Sequence, residues 1–374
     1  MNTDTTETDA SDMDDPDGVP AHPLAHFGGW KAVLTDLVAG IDLSPEVARA
    51  ALGSILRESA TDAQLAGFII ALGMKGGSVP ELTGLVDAMH DAAVPLTAPD
   101  GAIDIVGSGG APGRQQHALS VSTMAAFVAA AAGAVICKHG SVAATSSSGS
   151  FDTLEALGLA IDLDGPAVER CISEIGLGFA FAKKFHPAMR FAGPVRTELG
   201  VPTTFNFLGP LANPARVKRQ VLGVSDPVMA PRVAGVLAAR GAELALIVHG
   251  ADRLDEITLT DLTRIYEVRE GEITDEFQFD PTSIGLERVN RAALWGGTPQ
   301  QNADILRAIV AGEETGPRAQ IVELNAGAGL VVAGLAESFA EGFELARDAV
   351  VDGRAAAKLQ AAIELTTRLA ADGT

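Results

Sequence analysis

The chain has 374 residues, 47% of them hydrophobic, and a formal net charge of −21. That length buries a sizeable core and suits two domains, or one large domain with a satellite. The charge repels nucleic acid over most of the surface, no apolar run is long enough to span a membrane, and two cysteines make no disulfide framework. Cys137 and Cys171 sit in apolar segments, which fits a reducing cytoplasm.

In chain order, residues 1–24 read as a solvated, disordered acidic tail, with neither the basic nor the apolar region of a secretory signal. Four helices are predicted at Phe27–Ala39, Pro45–Ser59, Asp62–Met74 and Val79–Ala92. Ser44 with Pro45 supplies an N-cap and an N1 proline, and Thr61 with Gln64 and Ser78 with Glu81 supply capping boxes. Val47, Ala51 and Ile55, flanked by Ala48, Leu52 and Leu56, form the stripe of a helix packed on other helices. These residues define a small helical domain over 25–97, expected to be joined by about 177–200.

From Ala102 onward short apolar strands alternate with helices. The strand IDIV leads into GSGG, STMAAFVAAAA reads as a helix, and AVIC reads as a second strand. RQVLGV, a helix near Met229–Arg240 and ELALIVHG continue the alternation. ITLTDLTRIYEVREGEITDEFQF alternates like antiparallel strands, and the remainder is mostly helical. The fold class is therefore α/β, with a larger domain over 98–374 built on a mainly parallel central sheet. Ligands of such sheets sit beyond the carboxyl ends of the strands, where GSGG, KHG and HGADRLDE all fall.

Alone, GSGG fits a plain turn as well as an anion cradle. Freed backbone amides next to a helix start bearing Ser122 and Thr123 favour the cradle. Walker A and dinucleotide-binding patterns are both absent. Lys138 and His139 follow the next strand and open a hydroxyl-rich loop, which is either a flexible polar connection or the place where a cation meets a phosphate. Asp255 and Glu256 are either solvated surface acids or ligands for Mg²⁺, which would let an acidic protein hold a diphosphate. Arg190 and Arg196 lie near a helix start at Pro187. Phe205 and Pro210 belong to an irregular apolar loop suited to walling an aromatic pocket.

The blocks ICKHG, SGSFDTLEALG, HPAMRFAGPVRTELG, TFNFLGPLANPA and HGADRLDEIT occur in an order that resembles the anthranilate phosphoribosyltransferases. The resemblance runs from about Gly28 to the C-terminal helices. It implies a helical domain plus an α/β domain of the type shared with nucleoside phosphorylases, a cytoplasmic homodimer, and Mg²⁺-dependent transfer of phosphoribosyl from phosphoribosyl pyrophosphate to the amine of anthranilate in tryptophan biosynthesis. By position, Gly107, Gly109, Gly110, Ser122, Thr123 and Lys138 would bind the donor, and Ser108, Ser120, Gly140 and Ser148 would belong to the substrate-binding set. Asp255 and Glu256, with Ser122, would hold two magnesium ions. His139, Ser141, Arg196 and Pro210 would face the acceptor, and Lys138, His139 and Arg196 would be the catalytic set.

Four departures fall on ligand-facing loops. Ala111 replaces the aspartate of the family's GTGGD, in a loop that is a few residues longer. Ser120 replaces the asparagine two positions before the Ser-Thr pair, and Ser141 and Val142 replace the asparagine and arginine of KHGNR. Arg114, on the lengthened loop, is placed to contact the donor directly. The pattern leaves room for a paralogue with a different aromatic acceptor, for a non-catalytic binding protein of the same fold and, at the margin, for nucleoside phosphorolysis.

Overall fold

The computed structural model describes residues 23–109, 117–143 and 148–372. The four predicted helices are present as α1 (Gly29–Val38), α2 (Pro45–Leu56), α3 (Asp62–Lys75) and α4 (Val79–Asp91). Thr61 and Gln64 make the reciprocal box, with N···O distances of 3.3 and 2.9 Å. In the second box Glu81 accepts from the Ser78 amide at 2.7 Å. The same buried carboxylate accepts from the Leu43 amide at 2.9 Å and from Lys75 at 2.6 Å, so one cap residue ties three segments together. Its burial is tolerated because every oxygen is partnered. Helix α2 stops short of the predicted Ser59 because Glu58 turns left-handed, with φ of 60°.

Among the described residues seven strands form one sheet: β1 (Ile103–Gly107), β2 (Ile136–Gly140), β3 (Leu177–Phe181), β4 (Arg219–Gly223), β5 (Leu244–Gly250), β6 (Thr263–Arg269) and β7 (Glu272–Phe279). Their order is β3-β2-β1-β4-β5-β6-β7, parallel from β3 to β5 and antiparallel through β6 and β7. Alternate residues serve opposite faces. Val221 and Leu246 join the core beneath helix α5 (Val121–Ala131) and the C-terminal helices, whereas Leu222 and Ile247 join the core shared with the helix Met229–Ala239 and α1–α4. This period of two places the helical layer against one face of the sheet.

Two placements differ from the sequence reading. The predicted AVIC strand lies two residues later, so Lys138 and His139 stand inside β2, paired in register with Phe179 and Ala180, and not past its end. Both side chains are buried and find polar partners there, which hydropathy does not anticipate. Residues 177–181, expected beside the helical domain, are the edge strand β3; Gly176, at φ of 68°, ends the preceding helix and the Phe179 and Phe181 rings pack on Phe127 and Phe151. The helical layer takes up only later residues, among them Ala192 and Val195. Among the described residues no helix is long and apolar enough to cross a membrane.

Candidate active site

Strands β1 and β4 are neighbours whose chain connections leave in opposite directions, and beside this switch point the carboxyl ends of β1 and β2 open onto a cleft of about 570 Å³. The cleft is floored by the sheet edge and walled by the α5 N-terminus, the Gly140–Ala143 and Ser148–Ser150 segments, the Arg190–Pro210 region and the turn holding Asp255 and Glu256.

Close packing of backbone explains the glycines. A Cβ on Gly107 would come within 2.4 Å of Asp255 Oδ2, and one on Gly223 within 1.7 Å of the Asp255 carbonyl oxygen. Side-chain-free ends on β1 and β4 therefore let the acidic turn lie directly over the strands. That turn is shaped by Asp252, which accepts from Thr260 at 2.6 Å and Thr258 at 3.0 Å, and by Asn325, which bonds both the amide and the carbonyl of Ile257. Gly223→Ala must displace the Asp255 backbone, and we expect a stability loss of about 1–3 kcal/mol, the scale of overpacking. Chemical denaturation measures it, and an unchanged midpoint would show that the turn yields freely.

The glycine loop differs from a simple amide cradle. The Ser108 amide donates to Gly223 O at 2.8 Å and the Gly109 amide to Asp255 Oδ2 at 2.7 Å. Ser225 holds the loop from behind, donating from Oγ to Gly109 O at 2.8 Å and from its amide to Ser108 Oγ at 3.2 Å. These amides are spent within the protein, one on β4 and one on the acidic turn, because backbone donors at a packed sheet edge find protein partners. Gly109 needs the left-handed φ of 67° it adopts. Gly110, Ala111 and Arg114 lie outside the described residues.

The groups that face the cleft with donors to offer an anion are the start of α5 and Lys138. Lys138 is buried, with its ammonium bonded to Ile105 O and, at 3.2 Å, to Ser122 Oγ, leaving a third proton for a ligand. Burial pushes this ammonium below the usual lysine range, while Asp104, Glu256 and Asp255 oppose that shift. Thr123 Oγ1, buried at the cleft wall, has no protein partner. Asp104, on the neighbouring strand β1, accepts from Asn213 at 2.8 Å and from the His139 amide at 3.2 Å, and burial raises its carboxyl to about 6 despite Lys138.

His139 Nδ1 lies 3.0 Å from Gly209 O. A carbonyl only accepts, so this nitrogen carries the proton, and burial with His186 alongside holds the ring near a pKa of about 3. Nε2 is thus a bare lone pair, buried without a protein partner, on a residue that lines the cleft. On the same side stands Arg196, half-buried, with Asn206 Oδ1 at 3.5 Å and the Phe205 ring at 5.9 Å. No carboxylate of the described residues pairs with it; burial lowers its pKa from a very high starting value, so it stays charged. Pro210 and Phe205 supply apolar wall.

Every described residue of the expected set, including Gly140, Ser141 and Ser148, lines this one cleft. Ser141 accepts through its carbonyl from the Phe151 amide at 3.2 Å, and the Val142 side chain is exposed. Lys183 and Asn206 also line the cleft and were not singled out from sequence; Asn206 lies inside the block TFNFLGPLANPA and Lys183 just before HPAMRFAGPVRTELG, and that placement is the available signal.

The oxygen donors Asp255, Glu256 and Ser122 suit a hard cation, and all three line the cleft. Among the described residues no group of three or more His, Cys, Asp or Glu side chains forms a complete metal cage. Two carboxylates with open positions for substrate oxygens is the set that Mg²⁺ takes, so these residues fit it.

A helical bundle on one face of a mainly parallel sheet, with cations and paired acids at the carboxyl edge, defines a sugar-phosphate-transferring class. Models of the glycosyl transferase family match it in both parts, the helical bundle domain over residues 31–93 and the a/b domain over residues 100–356. The anthranilate phosphoribosyltransferase of Thermomicrobium roseum is 47% identical over 343 residues, covering 91% of this chain and 97% of its own length. The crystal structure of the Thermus thermophilus enzyme superposes with a TM-score of 0.83 at 39% identity, over 90% of this chain and 99% of that one. The Saccharomyces cerevisiae enzyme in complex with PRPP and Mg gives 0.82 at 26% identity, over 93% and 100%. The chain belongs to the anthranilate phosphoribosyltransferase family.

Proposed function

We propose that this protein transfers phosphoribosyl from phosphoribosyl pyrophosphate to the amine of anthranilate, releasing pyrophosphate. The observation that carries this reading is one cleft with two unlike ends: Lys138, Ser122 and the Asp255–Glu256 turn at one, and Arg196, without a carboxylate partner among the described residues, beside apolar Pro210 and Phe205 at the other.

As the bond from ribose to pyrophosphate stretches, negative charge builds on the diphosphate. Lys138 and the hydroxyls of Ser122 and Thr123 at the α5 N-terminus stabilise that charge in a site largely shielded from water. Asp255, Glu256 and Ser122 would hold magnesium, two ions in this reading, and the metal would supply further charge neutralisation on the diphosphate. Arg196 grips the anthranilate carboxylate and turns the amine toward the ribose. The His139 Nε2 lone pair accepts a hydrogen bond from the amine. With its pKa near 3 it orients the nucleophile and is a poor proton store at neutral pH. An arylamine is neutral at pH 7, so no early deprotonation is required.

A homodimer through the helical layer fits this reading, since Val38, Ile41 and Met74 are exposed there, as does a cytoplasmic location. The test is loss of anthranilate fluorescence with Mg²⁺ and phosphoribosyl pyrophosphate. We expect turnover that EDTA abolishes and added Mg²⁺ restores. Unchanged fluorescence under saturating donor would overturn the proposal.

A further inference from the structure

Two cleft-lining hydroxyls meet behind the wall on a single oxygen. Thr153 Oγ1 lies 2.8 Å from Ser120 Oγ and 3.0 Å from Ser148 Oγ, with Gly149 O at 3.3 Å. Thr153 is fully buried and does not line the cleft, whereas Ser120 and Ser148 do. Ser120 belongs to the approach to α5, and Ser148 to the approach to the helix Ser150–Ala156, so this contact joins the segments that follow β1 and β2.

A hydroxyl has one proton and two lone pairs. Thr153 donates its proton to Gly149 O, so its lone pairs are what Ser120 and Ser148 share, and it accepts from both hydroxyls and orients both. The Ser120 backbone is fixed separately. Buried Asn302 accepts from the Ser120 amide at 3.0 Å and donates to Ala118 O at 2.9 Å, while its remaining bonds reach Gly297 O and Thr298 O. Ser120 is therefore held by its backbone on one side and by its hydroxyl on the other.

We infer that Thr153 is a positioning residue: it locks the Ser120 and Ser148 hydroxyls to each other and so sets the spacing of the two segments that receive the phosphate-bearing donor. This rests on the donor proposed above. The full-length protein is titrated with Mg²⁺ and phosphoribosyl pyrophosphate by calorimetry, and the KM of each substrate is measured. Thr153→Val raises donor Kd and KM about 3- to 10-fold, the loss of one or two neutral hydrogen bonds, and leaves the anthranilate KM within about twofold. Thr153→Ser restores donor binding, which a role in packing the threonine methyl would not allow. Wild-type binding with an unchanged Thr153→Val Kd overturns the role of Thr153 alone; absence of wild-type donor binding overturns the functional reading and this inference together. Should Thr153→Val fail to fold, the Ser120→Ala and Ser148→Ala cycle decides, because coupling through Thr153 makes their effects on donor binding non-additive and additive effects overturn it.

Discussion

Lys138→Met is expected to lower kcat by about 100- to 1000-fold, the usual cost of removing one preorganised donor from a developing anion. The argument rests on placement. The ammonium sits at the carboxyl half of β2, under the start of α5, with two of its protons directed to Ile105 O and Ser122 Oγ. Methionine matches the length of the stem and fills the buried space, so lost charge and not a cavity dominates. A second readout separates charge from packing. Asp104 is fully buried, and its carboxyl, already raised to about 6, loses the Lys138 attraction and rises further. A folded-state pKa above the unfolded value gives stability at low pH that is lost as pH rises through it. The stability deficit of Lys138→Met relative to wild type should therefore widen between about pH 5 and 8. Thermal unfolding across that range checks it. A deficit independent of pH, with kcat unchanged, would remove Lys138 from both roles.

How much of this was legible in the sequence follows from which forces are local. The four N-terminal helices declared themselves because caps are short-range: Ser44, Thr61 and Glu81 act within one turn of their helix starts. The parallel sheet was legible from the alternation of apolar strands and helices. Strand β3 was not, because LGFAF is five residues long and its selection depends on Phe127 and Phe151, distant in sequence. The register of β2 was misplaced for the same reason: Lys138 and His139 enter a buried strand only because Ile105 O, Ser122 and Gly209 O await them. The site residues were legible as types at positions, from blocks whose order carries the resemblance. Their division of labour was not. Spending the Gly109 amide on Asp255 is a contact across 146 positions, and the Ser120–Thr153 bond spans 33. Asn302 and Asn325, which hold the two ligand-facing turns, come from C-terminal helices with no motif of their own.

Arg196→Ala is expected to raise the KM for anthranilate about 30-fold or more while leaving the donor Kd unchanged. Removing one partner of a desolvated charge pair costs about 2–5 kcal/mol, and 2 kcal/mol is about 30-fold. The guanidinium qualifies for the lower part of this range because it is only half-buried; its hydrogen bond to Asn206 Oδ1 is long at 3.5 Å, and no carboxylate of the described residues competes for it. Arg196→Lys keeps the charge but not the two-pronged geometry and should fall between the two. The decisive comparison uses aniline, which lacks the carboxylate. Wild type should use aniline about as poorly as Arg196→Ala uses anthranilate, and Arg196→Ala should not worsen aniline further, since the interaction is already gone. If Arg196→Ala impairs both acceptors equally, Arg196 acts by supporting the Phe205 wall and not by binding the carboxylate. Steady-state kinetics with both amines at saturating donor distinguishes the two, and the second outcome would point to Lys183 or Arg190, cations that line the cleft besides Lys138, as the carboxylate partner.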